Sequence, residues 1–497
     1  MRPINELLLY RYRHLIGYSL LVLLSLGLLF LFITKIPAGL SASEEASALA
    51  SSQITFDQHF LDNVDAINLP YHLTQWASLK IFGLSALGVR LPSLIFAASS
   101  MLFILLLLRR WLQENVAIAW GIIVATSAWF LTIGRSGTPD VMVIFWTSLI
   151  LLLATLVSQQ SKGYQAWKAL SLVSIALSFY TPLMAYLFAA SALAAMFQPH
   201  LRYIIRYAEK TSVSLGTFLF IALLVPLGWH IWRDPIVLRE LLAIPQTFPG
   251  PIDFFKDLWS AASSLINPFK NSVSSVITPL LSIPVIVLAT IGLIRTINDY
   301  HSVRSYVLLL WLAVLIPVIG LNPTALNIVF VPIMLLGAIG MQSLFRYWYD
   351  LFPRNPYARV FGLLPLVLLI ASIVGLNYQR YFTGMAYART TVETYSPDAL
   401  LLYDTLSSKA YQDQRITLVV SPDKKQLYQI DEAVAKNLTV VTPSQFTVSN
   451  KANRIIVSTD AKSQLTPNQL SNLPQTPSSM LVSDRKDDSL RFTVYNQ

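Results

Sequence analysis

The chain has 497 residues, of which 54% are hydrophobic and 12% charged, whereas a soluble domain carries about 25% charged residues. That balance excludes water as the main solvent. The net charge of +10 would point to nucleic acid in a soluble protein, but here Lys and Arg stand in short clusters between apolar runs, the pattern of a membrane topology signal. No nucleic-acid partner is expected. Without cysteine, disulfides, thiolate metal ligands and a Cys nucleophile are all excluded.

The first apolar stretch, His14 to Thr34, follows Arg2, Arg11 and Arg13. At roughly 20 residues it exceeds the core of a signal peptide. It reads as a retained helix, with Ser41-Ala42-Ser43 only a weak cleavage signal. Runs of spanning length recur at 88–108, 115–133, 139–158, 211–231, 277–294, 305–321, 326–344 and 359–377. The stretch 165–197 is too long for one span at about 1.5 Å per residue. Tyr180-Thr181-Pro182 divides it, because the residue before a proline leaves the helical region. About eleven transmembrane helices are expected.

Arg109-Arg110, Lys162/Lys168, Arg202/Arg206/Lys210, Arg295/Arg304 and Arg346/Arg354/Arg359 all fall on the side of the N-terminus. The bias of Lys and Arg toward cytoplasmic loops makes that side the cytoplasm. The C-terminus is then expected outside a cell inner (plasma) membrane. Two outer loops are long, 35–87 and 232–276. The second carries Trp232, Phe248, Phe254, Phe255 and Trp259 among charges, which suits an interfacial amphipathic segment.

From about 380 the composition becomes that of a small soluble α/β domain. Its strand-like runs are Ile416–Ser421, Leu438–Val441, Arg454–Ser458 and Leu490–Tyr495, with a helix near 423–436. Two domains are therefore expected: a membrane domain at 1–379 and an extracytoplasmic domain at 380–497. Neither GxxxxGK[ST] nor GxGxxG occurs, which disfavours nucleotide-driven transport by this chain alone.

The apolar cores contain almost no charge, so chemistry belongs at the membrane surface rather than in a conduction path. Two segments stand out, Ser41-Ala42-Ser43-Glu44-Glu45 and Gly134-Arg135-Ser136-Gly137-Thr138-Pro139-Asp140. A carboxylate pair beside a bilayer can hold a general base for an attacking hydroxyl, because burial or like charge raises one pKa. The alternative is a helix start with Ser43 as N-cap and acids in the first turn. Asp140 has the same alternative, and Arg135 could serve as an interface anchor.

The order of these pieces resembles the GT-C glycosyltransferases of the protein-mannosyltransferase and aminoarabinose-transferase type. The resemblance rests on Gly39-Leu40-Ser41-Ala42-Ser43-Glu44-Glu45-Ala46, then Asn68-Leu69-Pro70-Tyr71-His72, Lys80-Ile81-Phe82-Gly83 and Val89-Arg90-Leu91-Pro92-Ser93. It continues through Leu108-Arg109-Arg110, Ala125-Thr126-Ser127-Ala128-Trp129-Phe130 and Gly134-Arg135 with Asp140 beyond. It implies an all-α polytopic membrane protein with a small α/β C-terminal domain. It also implies inverting transfer of a sugar from a polyprenyl-phosphate-linked donor to a protein, lipid or cell-envelope glycan acceptor at the outer membrane face. Glu44 and Glu45, one of them the base, and Asp140 would be catalytic. Arg135 and Arg90 would bind the donor phosphate, Arg90 alternatively orienting its loop, and Tyr71 and His72 would line the acceptor pocket. Mg²⁺ or Mn²⁺ is permitted by the carboxylates but not demanded by them. Relatives have Asp where this chain has Glu44 and a basic residue where it has Asn327. A lipid or polysaccharide transporter and a non-catalytic envelope scaffold are the rival readings.

Overall fold

The computed structural model describes residues 12–55, 65–199, 210–266, 280–351, 356–387, 391, 394–396, 398–408, 411, 414–435, 437–446, 454–474, 476–482 and 490–496. Arg2, Arg11, Arg202, Arg206, Arg354 and the loop portions 56–64 and 267–276 lie outside the described residues.

In chain order the chain forms α1 (Arg13–Phe30), β1 (Leu40–Ser41), α2 (Ala42–Ser52), α3 (Leu69–Phe82), α4 (Ala86–Trp111), α5 (Glu114–Thr126), α6 (Ala128–Arg135) and α7 (Val141–Ser158). It continues with α8 (Tyr164–Ser178), α9 (Met184–Phe197), α10 (Lys210–Arg233), α11 (Ile236–Leu241), α12 (Pro251–Ile266), α13 (Ile283–Asn298), α14 (Val303–Leu321), α15 (Phe330–Leu351) and α16 (Pro356–Tyr378). Each expected span contains an α-helix among the described residues, with 277–294 helical from Ile283 and 326–344 α-helical from Phe330. Among the described residues seven helices are long and apolar enough to cross a membrane, and α5 with α6 forms a further candidate bent by 58°. The bend sits at Ser127, whose extended backbone stops the ladder of α5 and whose hydroxyl accepts from Phe130 N to start α6.

The described chain divides into two compact units. One holds Met1–Leu31, Asp65–Pro70 and Ser93–Met385; the other holds Phe32–Val64, Tyr71–Pro92 and Ala386–Gln497. In the first, α13 and α15 approach backbone to backbone. A Cβ on Gly292 would stand 1.8 Å from Leu336 O, and one on Gly340 1.9 Å from Leu288 O. Small residues at a membrane helix interface permit this approach, where helices gain from van der Waals contact and not from the hydrophobic effect. The break between α8 and α9 falls where Pro182 placed it. Leu183 adopts φ +72°, and Thr181 Oγ1 accepts the Trp146 indole N–H at 3.1 Å. Asn327 accepts the Trp129 indole N–H at 3.1 Å, a task for a neutral amide oxygen that a basic side chain could not perform.

The second unit contains a five-stranded sheet in the order β4-β3-β5-β7-β6, built from β3 (Ile416–Val419), β4 (Leu438–Val441), β5 (Arg454–Ser458), β6 (Ser479–Val482) and β7 (Leu490–Asn496). β3 pairs in parallel with β4 and β5, while β7 runs antiparallel to β5 and β6. Alternation puts Ile416, Leu418, Ile456, Phe492 and Val494 on one face and Val419, Ile455, Val457 and Tyr495 on the other. Both faces are buried, as parallel strands require. Between β3 and β4 run a 3₁₀ turn, Pro422–Tyr428, and a helix, Gln429–Val434. β1 pairs antiparallel with the two-residue strand β2 (Tyr395–Ser396), Leu40 opposite Ser396 and Ser41 opposite Tyr395, and joins the first loop to the later chain. A core of Leu40, Ala48, Leu84 and Val89 packs there with Leu400 and Tyr403 of helix Asp398–Leu406.

Candidate active site

The acidic pair opens α2, but Ser41 and not Ser43 is its N-cap. The reason is a complete capping box: Ser41 Oγ accepts from Glu44 N at 3.2 Å, and Ser41 N donates to Glu44 Oε2 at 2.8 Å. Glu44 is then fixed a second time by Arg90. The guanidinium donates from Nε to Glu44 Oε1 at 2.8 Å and from Nη2 to Oε2 at 3.2 Å. Its other N–H groups go to the carbonyls of Ile33 (2.9 Å), Pro37 (3.0 Å) and Gly39 (2.6 Å). A guanidinium has five N–H donors, and these bonds occupy all of them. Arg90 is completely buried. Arg90 and Glu44 thus form a buried ion pair whose guanidinium also binds three carbonyls of the first loop, the arrangement of the loop-orienting alternative.

Tyr71 and His72 belong to a second buried network. His72 Nδ1 lies 2.8 Å from Ser51 Oγ, which donates to Gln75 Oε1 at 2.7 Å. Ser47 Oγ donates to the same oxygen at 2.9 Å, and Gln75 Nε2 donates to Val89 O at 3.0 Å. Tyr71 packs edge-on to His72 with ring centres 5.8 Å apart. Both are buried, and the network ties α2 to α3 and α4.

Glu45 is different from its neighbour. It is only 3% exposed, and its Oε2 has no hydrogen-bond donor. Burial above all, then the charges of Glu44 and Asp398, push its carboxyl up to about 8. A carboxyl in that range can accept a proton near neutral pH, which Glu44, locked to a guanidinium, is not arranged to do. Across the packing of α2 against helix Gln429–Val434 stands Asp431. It too is fully buried, with neither carboxyl oxygen partnered, and burial followed by the charge of Glu45 raises it well above the ordinary range. Asp431 carries no sequence signal: Gln429-Ile430-Asp431-Glu432 is an ordinary helix opening, and nothing local separates it from a surface acid.

Arg135 and Asp140 belong to the other unit. Arg135 is buried, donates from Nη1 to Leu28 O at 2.6 Å, and lies over the rings of Tyr381 and Phe382 at 5.1 and 5.3 Å. Asp140 is exposed and precedes α7 without capping it, and Thr138 Oγ1 donates to its Oδ2 at 3.4 Å. Among the described residues no group of three or more His, Asp or Glu side chains is placed to hold a metal ion.

A family model described as dolichyl-phosphate-mannose-protein mannosyltransferase matches residues 70–232, a segment with Tyr71, His72, Arg90, Arg135 and Asp140. The fold matches ArnT from Cupriavidus metallidurans in the apo state with a TM-score of 0.55 at 13% identity, over 96% of this chain and 97% of that one. The chain has the fold of these solved membrane transferases, and its residues 70–232 are similar to the mannosyltransferase family. The same ArnT bound to undecaprenyl phosphate matches this chain with a TM-score of 0.54 at 13% identity, over 96% and 97% of the two chains. The apo oligosaccharyltransferase of Archaeoglobus fulgidus gives a TM-score of 0.55 at 14% identity, over 91% of this chain and 70% of that one. No curated protein matches by sequence. With its apolar helices and GT-C fold, the chain is a multi-pass membrane protein.

Proposed function

We propose that this GT-C chain transfers a sugar from a polyprenyl-phosphate donor to an acceptor hydroxyl or amine, with Glu45 as the general base. The observation that carries the assignment is the contrast within the acidic pair. Glu44 has both oxygens engaged by Ser41 N and Arg90, whereas Glu45 keeps an unpartnered oxygen and a carboxyl raised to about 8.

In the transfer, Glu45 takes the acceptor proton as the acceptor atom bonds to the anomeric carbon. The bond from that carbon to the phosphate oxygen breaks, and polyprenyl phosphate leaves with inversion. Developing negative charge on the phosphate is the kind of charge a permanently ionised guanidinium stabilises. Arg135 is assigned that role, which requires it to leave its bond to Leu28, and Asp140 is assigned to the same outer loop chemistry. The binding of undecaprenyl phosphate by ArnT from Cupriavidus metallidurans supports a lipid-linked donor here as well. The membrane domain is placed at 1–379 and the extracytoplasmic domain at 380–497, with the N-terminus in the cytoplasm of an inner-membrane protein. The Lys and Arg bias of the short loops supports that orientation.

The test is incubation of membranes holding the full chain with a panel of labelled polyprenyl-phosphate sugars. Label appearing in protein, lipid or glycan in a chain-dependent way is the expected result. Membranes that leave every donor intact, with the chain present and folded, would refute the assignment.

A further inference from the structure

Two buried acids stand on helices that pack together, Glu45 on α2 and Asp431 on Gln429–Val434. Glu45 presents an oxygen with no donor, and Asp431 presents two, while Asp431 is 0% and Glu45 3% exposed. Neither has an ion-pair partner among the described residues. The groups around them do not supply one. Glu44 is held by Arg90, Asp398, whose ion-pair partner is Arg491 at 3.6 Å, adds its charge beside Glu45, and Tyr428 is a neutral phenol whose deprotonation burial above all, then Asp398, Asp431 and Glu45, oppose. Of the nearby lysines, Lys424 pairs with Asp460 and Lys425 donates to Gln445.

Two unpartnered carboxylates in a dry site cannot both ionise, and each would cost several kcal/mol if left without a donor. One proton resolves both problems: a carboxylic acid can donate to a carboxylate, as carboxyl dyads do. We propose that Asp431 is the proton-bearing partner of Glu45, a positioning residue that donates a hydrogen bond to the Glu45 carboxylate and holds it ready to receive the acceptor's proton. This rests on the transferase reading above. The soluble domain thereby becomes part of the catalytic apparatus, because without Asp431 the base has no donor to stabilise its ionised form. Asp431 keeps its own proton throughout; the proton that moves is the acceptor's, and it goes to Glu45.

Two variants separate this role from simple packing. Asp431→Asn keeps an N–H donor of similar size, so it should retain transfer with the acid limb of the pH profile unmoved. Asp431→Leu keeps the volume without a donor, so the limb should move to higher pH, and each unit of displacement lowers transfer at neutral pH about tenfold. A Leu variant with the wild-type limb, or Asn and Leu variants equally impaired with unmoved limbs, would overturn the proposal. An infrared difference between wild type and Asp431→Asn at neutral pH gives a readout independent of transfer. Loss of a protonated-carboxyl C=O band is expected; loss of carboxylate bands instead would overturn the dyad even if sugar is transferred. Should no donor be used by wild type, the transferase reading fails, and the infrared result still decides whether the proton is shared.

Discussion

Glu44 binds Ser41 N and the Arg90 guanidinium through both oxygens, while Glu45, on the next turn position of the same helix, has burial and two negative neighbours as its main surroundings. Arg90→Ala should destabilise the folded chain by about 3–5 kcal/mol, because it strands a buried carboxylate and three loop carbonyls. Thermal unfolding in detergent checks this, and an unchanged midpoint would contradict it. For Glu45 the sign is worked from its raised carboxyl. The base acts only when ionised, so transfer should rise with pH up to about 8. The same group binds its proton more tightly folded than unfolded, so its contribution to stability is full below the unfolded carboxyl range and is lost as pH rises through about 8. Activity and stability should thus move in opposite directions between neutral pH and pH 9, and parallel changes would argue against Glu45 as base. The acidic pair itself was legible from sequence; which member is free was not, since the answer depends on Arg90, 46 positions away.

The spanning helices were legible because apolar length leaves little choice in a bilayer, where each backbone polar group must be satisfied within its segment. The run 88–108 extends to Ala86–Trp111, and 115–133 becomes two helices broken at Ser127. Strands at Leu438–Val441 and Arg454–Ser458 carry their expected boundaries. What escaped was weakly patterned or long-range. The edge strand Ser479–Val482 is largely exposed, and the pairing of Leu40–Ser41 with Tyr395–Ser396 is only two residues deep. The paired glycines of α13 and α15 yield a prediction at this level. Gly340→Leu should separate the helices, because its Cβ would meet Leu288 O at 1.9 Å. Lower yield of folded protein and faster proteolysis are expected, and Gly375→Leu, with nothing within 4 Å of its Cβ, is the control. Equal tolerance of both variants would contradict the close contact.

At the scale of the whole molecule, the proposed base and its proposed partner Asp431 lie in one compact unit, which holds Phe32–Val64 together with Ala386–Gln497. An accessibility tag at Gln497 should report the outer face and one at Lys162 the cytoplasm; the opposite labels would move Glu45 away from its proposed side. The central claim, that Glu45 activates the acceptor, is tested most directly by sugar transfer from a labelled polyprenyl-phosphate donor in membranes holding wild type or Glu45→Gln at matched expression. Loss of roughly 10²- to 10⁴-fold with the thermal midpoint retained is the predicted result, the usual contribution of a positioned base. Transfer by Glu45→Gln at the wild-type rate would contradict the claim.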